Sequence, residues 1–81
     1  MNLSDIKQIN VTDVWSEGNA IIEATVENIY ALDVLQAEYR AEKAVQGHAK
    51  ANGQVVSADR WEVVKAGDGN LETWTIKFTA S

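Results

Sequence analysis

Two Gly-Asn pairs, each followed by alternating apolar and polar residues, constrain the fold of this chain more than any other feature. Gly18-Asn19 precedes AIIEATVENI, and Gly69-Asn70 precedes LETWTIKFTA. Glycine and asparagine tolerate the left-handed backbone that a tight turn between antiparallel strands requires. Strict alternation is typical of a strand with one buried and one hydrated face. The sequence therefore predicts one β-hairpin near each end of the chain.

The first strand of the N-terminal hairpin lies in IKQINVTDVW. Under strict alternation its apolar residues share one side: Ile9, Val11 and Trp15. Asp13 then falls on the apolar side and Val14 on the polar side, which indicates a bulge near Thr12-Asp13 or a strand end beside solvent. In the second strand, alternation directs three residues to the core: Ile22, Ala24 and Val26.

The C-terminal hairpin combines RWEVVKA with LETWTIKFTA. Trp74, Ile76 and Phe78 line one side of the last strand, so this strand has the clearest pattern in the chain. Its partner is ambiguous, because Trp61 and Val63 share a side while other valines occupy the opposite one. The pattern alone does not fix the register of this pair.

The segment between the hairpins, DVLQAEYRAEKAVQGHAKANG, favours a helix over residues 33–52. Alanine and straight-chain residues lose little conformational freedom in a helix. Asp33 is a suitable N-cap with Gln36 three residues later, and Gly53 is a suitable stop. We expect the helix to dock through Leu32, Leu35 and Tyr39, with a widening of this face by Ala31, Val34, Val45 and Ala49.

These elements predict an α+β fold in the order ββαββ, with one helix packed on one face of a four-stranded antiparallel sheet. The 81 residues form a single domain, 1–81. A chain of this length buries only roughly 60% of the surface exposed when it is unfolded. There is no cysteine to form a disulfide. We therefore expect packing to extend across a subunit interface, most simply in a homodimer.

Composition argues against several partners. The net charge is −5 and lysine and arginine form no cluster, so we expect no direct binding to nucleic acid. No apolar stretch is long enough to span a bilayer, and we expect no membrane partner. The absence of cysteine fits a reducing compartment, and the expected location is cytoplasmic.

No constellation of residues indicates catalysis, a metal site or a cofactor. His48 is the only histidine and has no evident companion. The segment from Gly67 to Asn70 lacks the lysine and the following helix of a phosphate loop, and it makes a poor calcium loop as well. None of the serines lies in a nucleophile motif. We expect a protein that is not an enzyme and that binds no cofactor.

Arg60, Trp61 and Glu62 are the candidate interface residues. A tryptophan placed among charges is either a core or rim aromatic residue or an interface anchor, since tryptophan and arginine are enriched at binding hot spots. Residues 54–60 contain no proline and few charges that would prevent the pairing of this edge with a second copy.

Three hypotheses about function follow. The leading one is a small soluble interaction protein without enzymatic activity that self-associates through a sheet edge or an aromatic patch including Trp61. The second is an acidic inhibitor or adaptor that docks on a basic protein, such as an accessory protein of a mobile element. The third is a module that binds a small ligand in an apolar pocket rimmed by Trp15, Trp61 or Trp74.

Overall fold

A computed structural model describes residues 8–68 and 72–81 and has the α+β architecture expected from the sequence, with one helix on an antiparallel sheet. The elements in chain order are β1 (Asn10–Glu17), β2 (Ala20–Ile29), α1 (Val34–Ala51), β3 (Val55–Val56), β4 (Arg60–Lys65) and β5 (Trp74–Thr79).

The sheet has five strands where the sequence predicted four. Four of them are antiparallel in the order β1-β2-β5-β4, and the two-residue β3 pairs parallel with the start of β2. The sequence did not predict β3, because two residues are too few to show alternation. β5 lies between β2 and β4, so the two predicted hairpins join edge to edge through their second strands.

The turn of the first hairpin is confirmed, with Gly18 at a φ of +61°. This left-handed conformation suits glycine, which has no Cβ to clash with the backbone. The turn predicted at residues 67–70 lies partly outside the described residues, as does Leu71 at the predicted start of the last strand.

The bulge expected near Thr12-Asp13 is present at Asp13. Thr12 pairs with Thr25 and Trp15 with Glu23, so β1 contains one extra residue between these pairs. Asp13 adopts a φ of +51° there. The extra residue reverses the alternation, and Val14 packs against the core. The expectation that Trp15 shares the side of Val11 is therefore wrong, because Trp15 pairs with Glu23 on the opposite face.

A second bulge, in β2, places Ile21 in the core instead of Ile22, which the sequence had predicted there. Trp15 pairs with Glu23 but Ser16 pairs with Ile21, which leaves Ile22 as the extra residue. Ile21 is completely buried and Ile22 is only half-buried. Ala24 and Val26 do face the core as expected. A pattern of alternating letters cannot reveal a bulge made of two consecutive isoleucines.

The ends of α1 follow the predicted capping. The Asp33 carboxylate accepts a hydrogen bond from the Gln36 backbone N–H at 2.8 Å. The Gln36 side chain accepts one in return from the Leu32 backbone N–H, also at 2.8 Å. After the helix, Gly53 takes a φ of +65°. These bonds satisfy backbone groups that a helix end leaves unpaired.

The docking face of α1 agrees with the expected one at Val45 and Ala49, as does the buried Ala31 before the helix, but not at Leu35 and Tyr39. Its buried residues are Ala37, Ala41, Val45 and Ala49, whereas Leu35 and Leu32, just before the helix, are 73% and 78% exposed. Small side chains let the helix backbone approach the sheet, which supplies the bulk of the core. The large residues on the inner face of the sheet are Ile21, Val26, Ile29, Trp74, Ile76 and Phe78.

The hydrophobic core lies between α1 and the middle of the sheet, where β2 and β5 run side by side. The helix contacts β1, β2, β3 and β5. Within residues 8–68 and 72–81, no helix is long and apolar enough to cross a bilayer.

Candidate interaction surface at the edge of the sheet

β4 is the last strand of the sheet and hydrogen bonds to β5 along one side. No other described strand pairs with its second side, which we call the open edge. The cross-strand pairs with β5 are Arg60–Thr79, Trp61–Phe78, Glu62–Lys77 and Val63–Ile76. This register places Trp61 and Val63 on the face that carries the helix, and Arg60 and Glu62 on the outer face.

The backbone groups of β4 alternate between β5 and the open edge, as in any antiparallel pair. On β5, the N–H of Ala80 donates to a β2 carbonyl at 2.9 Å, whereas the carbonyl of Thr79 accepts from the Asp59 N–H at 3.0 Å. The backbone N–H and C=O groups of residue 79 therefore face β4. Those of Arg60, which lies opposite Thr79, face β5. By alternation, the N–H and C=O groups of Trp61 and residue 63 face the open edge.

Near its C-terminal end, β4 is irregular. Val63 pairs with Ile76 but Lys65 pairs with Thr75, so Val64 is an extra residue that forms a bulge. The regular part of the open edge therefore covers residues 60–63, which includes all three residues that the sequence indicated as an interface.

Trp61 is 40% exposed and lines a cleft of about 290 Å³ between α1 and the β3–β4 segment. The helix covers the centre of the sheet, so the inner face of β4 lies at its margin. Four further apolar residues form the lining: Val45, Val56, Ala58 and Phe78. The polar lining consists of Gln46 and three carboxylates: Glu38, Glu42 and Asp59. The cleft thus combines an apolar floor with an acidic rim.

Asp59 fixes the start of β4 to the end of β5. Its carboxylate accepts hydrogen bonds from the hydroxyl and from the backbone N–H of Ser81, both at 2.9 Å. These hydrogen bonds, the hydroxyl's first, lower the pKa of Asp59 below its ordinary value of 3.8, and the charge of Arg60 acts in the same direction. The segment that leads into Trp61 is therefore held in a defined position.

The outer face of this edge carries charges in a regular arrangement. Lys77 on β5 forms an ion pair with Glu23 on β2 at 3.0 Å. Glu62 lies opposite Lys77 on the other side of β5, and Arg60 lies opposite Thr79. Among the described residues, neither Arg60 nor Glu62 takes part in an ion pair. The charges of Arg60 and Glu62 are thus both available at the open edge.

The other two tryptophans occupy different environments. Trp74 is nearly buried, and its indole N–H donates to the carbonyl of Ala31 at 3.0 Å. Trp15 is 52% exposed on the outer face of the sheet. Of the three tryptophans proposed to rim a pocket, Trp61 lines the cleft beside β4, whereas Trp15 and Trp74 line neither this cleft nor the one beside Tyr39.

A second apolar surface consists of Leu32, Leu35 and Tyr39, and we call it the helix patch. The sequence predicted these residues to be buried. All three are exposed. Tyr39 also borders a cleft of about 520 Å³ that Ile9 and Tyr30 line. The helical periodicity of the sequence indicated that these residues share one face, but a helical wheel does not show which face packs against the sheet. They were therefore expected in the core.

His48 and Asp68 line neither of the two clefts. His48 lies in the last turn of α1, where its backbone carbonyl accepts hydrogen bonds from Asn52. Among residues 8–68 and 72–81, no three side chains of histidine, cysteine, aspartate or glutamate are grouped to hold a metal ion. Asp68 belongs to the predicted turn, and its carboxylate accepts from the Glu72 N–H.

The chain matches no protein-family model, and no curated protein or solved structure shows a detectable match to it.

Proposed function

We propose that this protein is a non-enzymatic interaction protein that binds a second copy of itself through the open edge of β4. The proposal is supported chiefly by the position of Trp61, a large aromatic residue that is only partly covered on a strand with one unpaired side. Tryptophan and arginine are both enriched at binding hot spots. An unpaired strand with no proline is a template for another strand.

The distribution of apolar residues supports an interaction role. Of residues 8–68 and 72–81, seven large apolar side chains are buried in the core, together with five alanines. Ten large apolar side chains are exposed among the described residues. Association with a partner removes such residues from water, and each Å² of apolar surface that is buried contributes about 25 cal/mol. A chain of this length buries a smaller fraction of its surface on folding than a larger domain does, so association can bury apolar surface that folding leaves exposed.

β4 is a better edge for pairing than β1. In β1 the bulge at Asp13 interrupts the middle of the strand, and its φ of +51° breaks the extended conformation. Bulges on an edge strand hinder the addition of another strand. In β4 the bulge at Val64 lies beyond residues 60–63, which are left regular.

The experiment measures mass by light scattering during size-exclusion chromatography over a series of concentrations. We expect the wild-type protein to be a dimer at about 100 μM and to dissociate on dilution, with a Tm that rises with concentration. Trp61→Lys places a charge in the interface and is expected to give a monomer. Trp15→Lys, on the outer face, is the matched control and should leave the dimer intact.

Two results would overturn this proposal. One is a wild-type protein that is monomeric at every concentration with a constant Tm. The other is a dimer that Trp61→Lys leaves intact but Leu35→Lys dissociates, because association would then occur through the helix patch. The Tm of each variant at low concentration shows whether its monomer is folded.

A second candidate function, an adaptor that binds a basic protein, is supported by the three carboxylates around the cleft. Glu38 and Glu42 lie one helical turn apart and repel each other, so their arrangement does not favour the helix itself. A cation above Trp61 would also interact with the ring.

Tryptophan fluorescence tests this candidate with a lysine-rich peptide as probe. We expect binding at about 20 mM salt that is lost at about 500 mM and is weakened by Glu42→Gln. A signal that does not respond to salt would contradict it. For both candidates we propose a cytoplasmic location, on the composition of the chain.

A further inference from the structure

We propose that two copies pair β4 with β4 antiparallel in one particular register, in which Trp61 lies opposite the partner's Trp61 and Arg60 lies opposite the partner's Glu62. This inference rests on the proposed self-association and specifies its geometry. Four antiparallel strands from each copy would then form one continuous sheet about a two-fold axis perpendicular to it.

The backbone restricts the possible registers. Two antiparallel strands bond through residues whose N–H and C=O groups face each other. On β4 the groups of residues 61 and 63 face the open edge, while those of Arg60 and Glu62 face β5. Only registers that place odd-numbered residues opposite odd-numbered residues satisfy this condition. In a symmetric pairing of this kind, the two-fold axis passes beside one residue, which lies opposite its own copy in the partner. We call this residue the centre of the pairing, and in the regular part of the strand it is residue 60, 61, 62 or 63.

Charge selects among these registers. A pairing centred on residue 60 places Arg60 opposite Arg60, and a pairing centred on residue 62 places Glu62 opposite Glu62. Like charges directly opposite each other destabilise a strand pair. The pairing centred on residue 63 brings the bulge at Val64 into the interface. Only the pairing centred on Trp61 joins opposite charges, and symmetry makes it do so twice.

The charges of the outer face continue across this interface. Lys77 lies opposite Glu62 within one copy, and Glu62 would lie opposite the partner's Arg60. From β5 to the partner's β4, the outer face thus carries a cation, an anion and a cation side by side: Lys77, Glu62 and the partner's Arg60. Lys77 already forms an ion pair with Glu23 at 3.0 Å. The partner's Arg60 supplies Glu62 with a cation of its own.

The inner face supplies the apolar contact. Directly opposed residues in a bonded antiparallel pair have Cα atoms about 5.5 Å apart, within reach of two aromatic rings. The two Trp61 side chains would meet on the face that carries both helices and cover each other's exposed surface. Exposed ion pairs contribute little affinity by themselves. The tryptophans and the backbone bonds thus hold the dimer together, and the charges set its register.

Charge reversal tests the register by sedimentation equilibrium. Arg60→Glu places two carboxylates opposite each other twice, and Glu62→Arg does the same with two cations. Each is expected to raise the dimer Kd about tenfold. The double variant, Arg60→Glu with Glu62→Arg, restores opposite charges and is expected to return the Kd to within about threefold of the wild-type value.

Lys65→Glu is the matched control, because it makes the same charge change on the same strand outside the Arg60–Glu62 pairs. It should change the Kd less than about threefold. The Tm of each dilute variant shows that its monomer is folded. If the double variant is as weak as the single ones while Trp61→Lys still abolishes the dimer, the register is wrong but self-association through β4 stands. If the wild-type protein does not dimerise, both ideas fail.

Discussion

The indole N–H of Trp74 donates a hydrogen bond to the carbonyl of Ala31 at 3.0 Å and thereby joins the last strand to the segment that enters the helix. The two residues are 43 positions apart, and both are buried. Since β5 lies between β2 and β4, this bond links the connection before the helix to the middle of the sheet. It also satisfies two polar groups that burial would otherwise make costly.

Replacing Trp74 with phenylalanine is expected to destabilise the protein by about 1–3 kcal/mol, because the Ala31 carbonyl would be left buried without a donor. Urea denaturation measures the change. Trp61→Phe is the control and should cost less than about 1 kcal/mol in the dilute monomer, since Trp61 is partly exposed. Equal losses for the two variants would contradict a specific role for the Trp74 hydrogen bond.

Substitutions at the buried alanines of the helix are expected to destabilise the protein more than a substitution at its exposed leucine. Ala41 is completely buried against the sheet. Ala41→Leu should therefore overpack the interface and cost about 1–3 kcal/mol. Leu35→Ala, on the exposed side, should change stability by no more than about 0.5 kcal/mol. Thermal denaturation of both variants checks the docking face, and the opposite order would place Leu35 in the core.

Asp13 offers a direct test of the bulge in β1. With a φ of +51°, this position disfavours a β-branched side chain. Asp13→Val is expected to destabilise the protein by about 1–3 kcal/mol, whereas Asp13→Gly should be neutral or slightly stabilising. Strict alternation gives the reverse expectation, because residue 13 would face the core and valine would stabilise it. Thr12→Val is the neighbouring control and should have little effect.

The hydrogen bonds from Ser81 to Asp59 make stability dependent on acid pH. They lower the pKa of Asp59 in the folded chain below 3.8, so the unfolded chain binds a proton more readily at this site. The contribution is fully present above the unfolded value and is lost as the pH falls through the folded one. Urea midpoints measured from about pH 5 to about pH 2 should therefore fall more steeply for the wild-type chain than for Asp59→Asn. Parallel curves would show that the bonds do not contribute.

Much of the local structure could be predicted because its causes lie within a few residues. Gly18 makes a turn, and Asp33 and Gln36 cap a helix, whatever the rest of the chain does. The bulge at Asp13 was also visible, because a charged residue in an apolar register is a conflict that one extra residue resolves. Of the candidate interface, the sequence indicated Arg60, Trp61 and Glu62 as neighbours of opposite charge around an aromatic residue.

The sequence by itself determined the two hairpins, the helix between them and its ends, because turns, caps and alternation depend on short-range sterics and hydrogen bonds. The tertiary structure decided which faces meet. The bulge at Ile22 placed Ile21 in the core, and the large side chains of the sheet pack against the alanines of the helix, which leaves Leu35 exposed. It also joined β5 to β2, which left β4 as the open edge with Trp61. Strand order and docking face depend on contacts between residues far apart in the chain, and a periodic pattern contains no information about them.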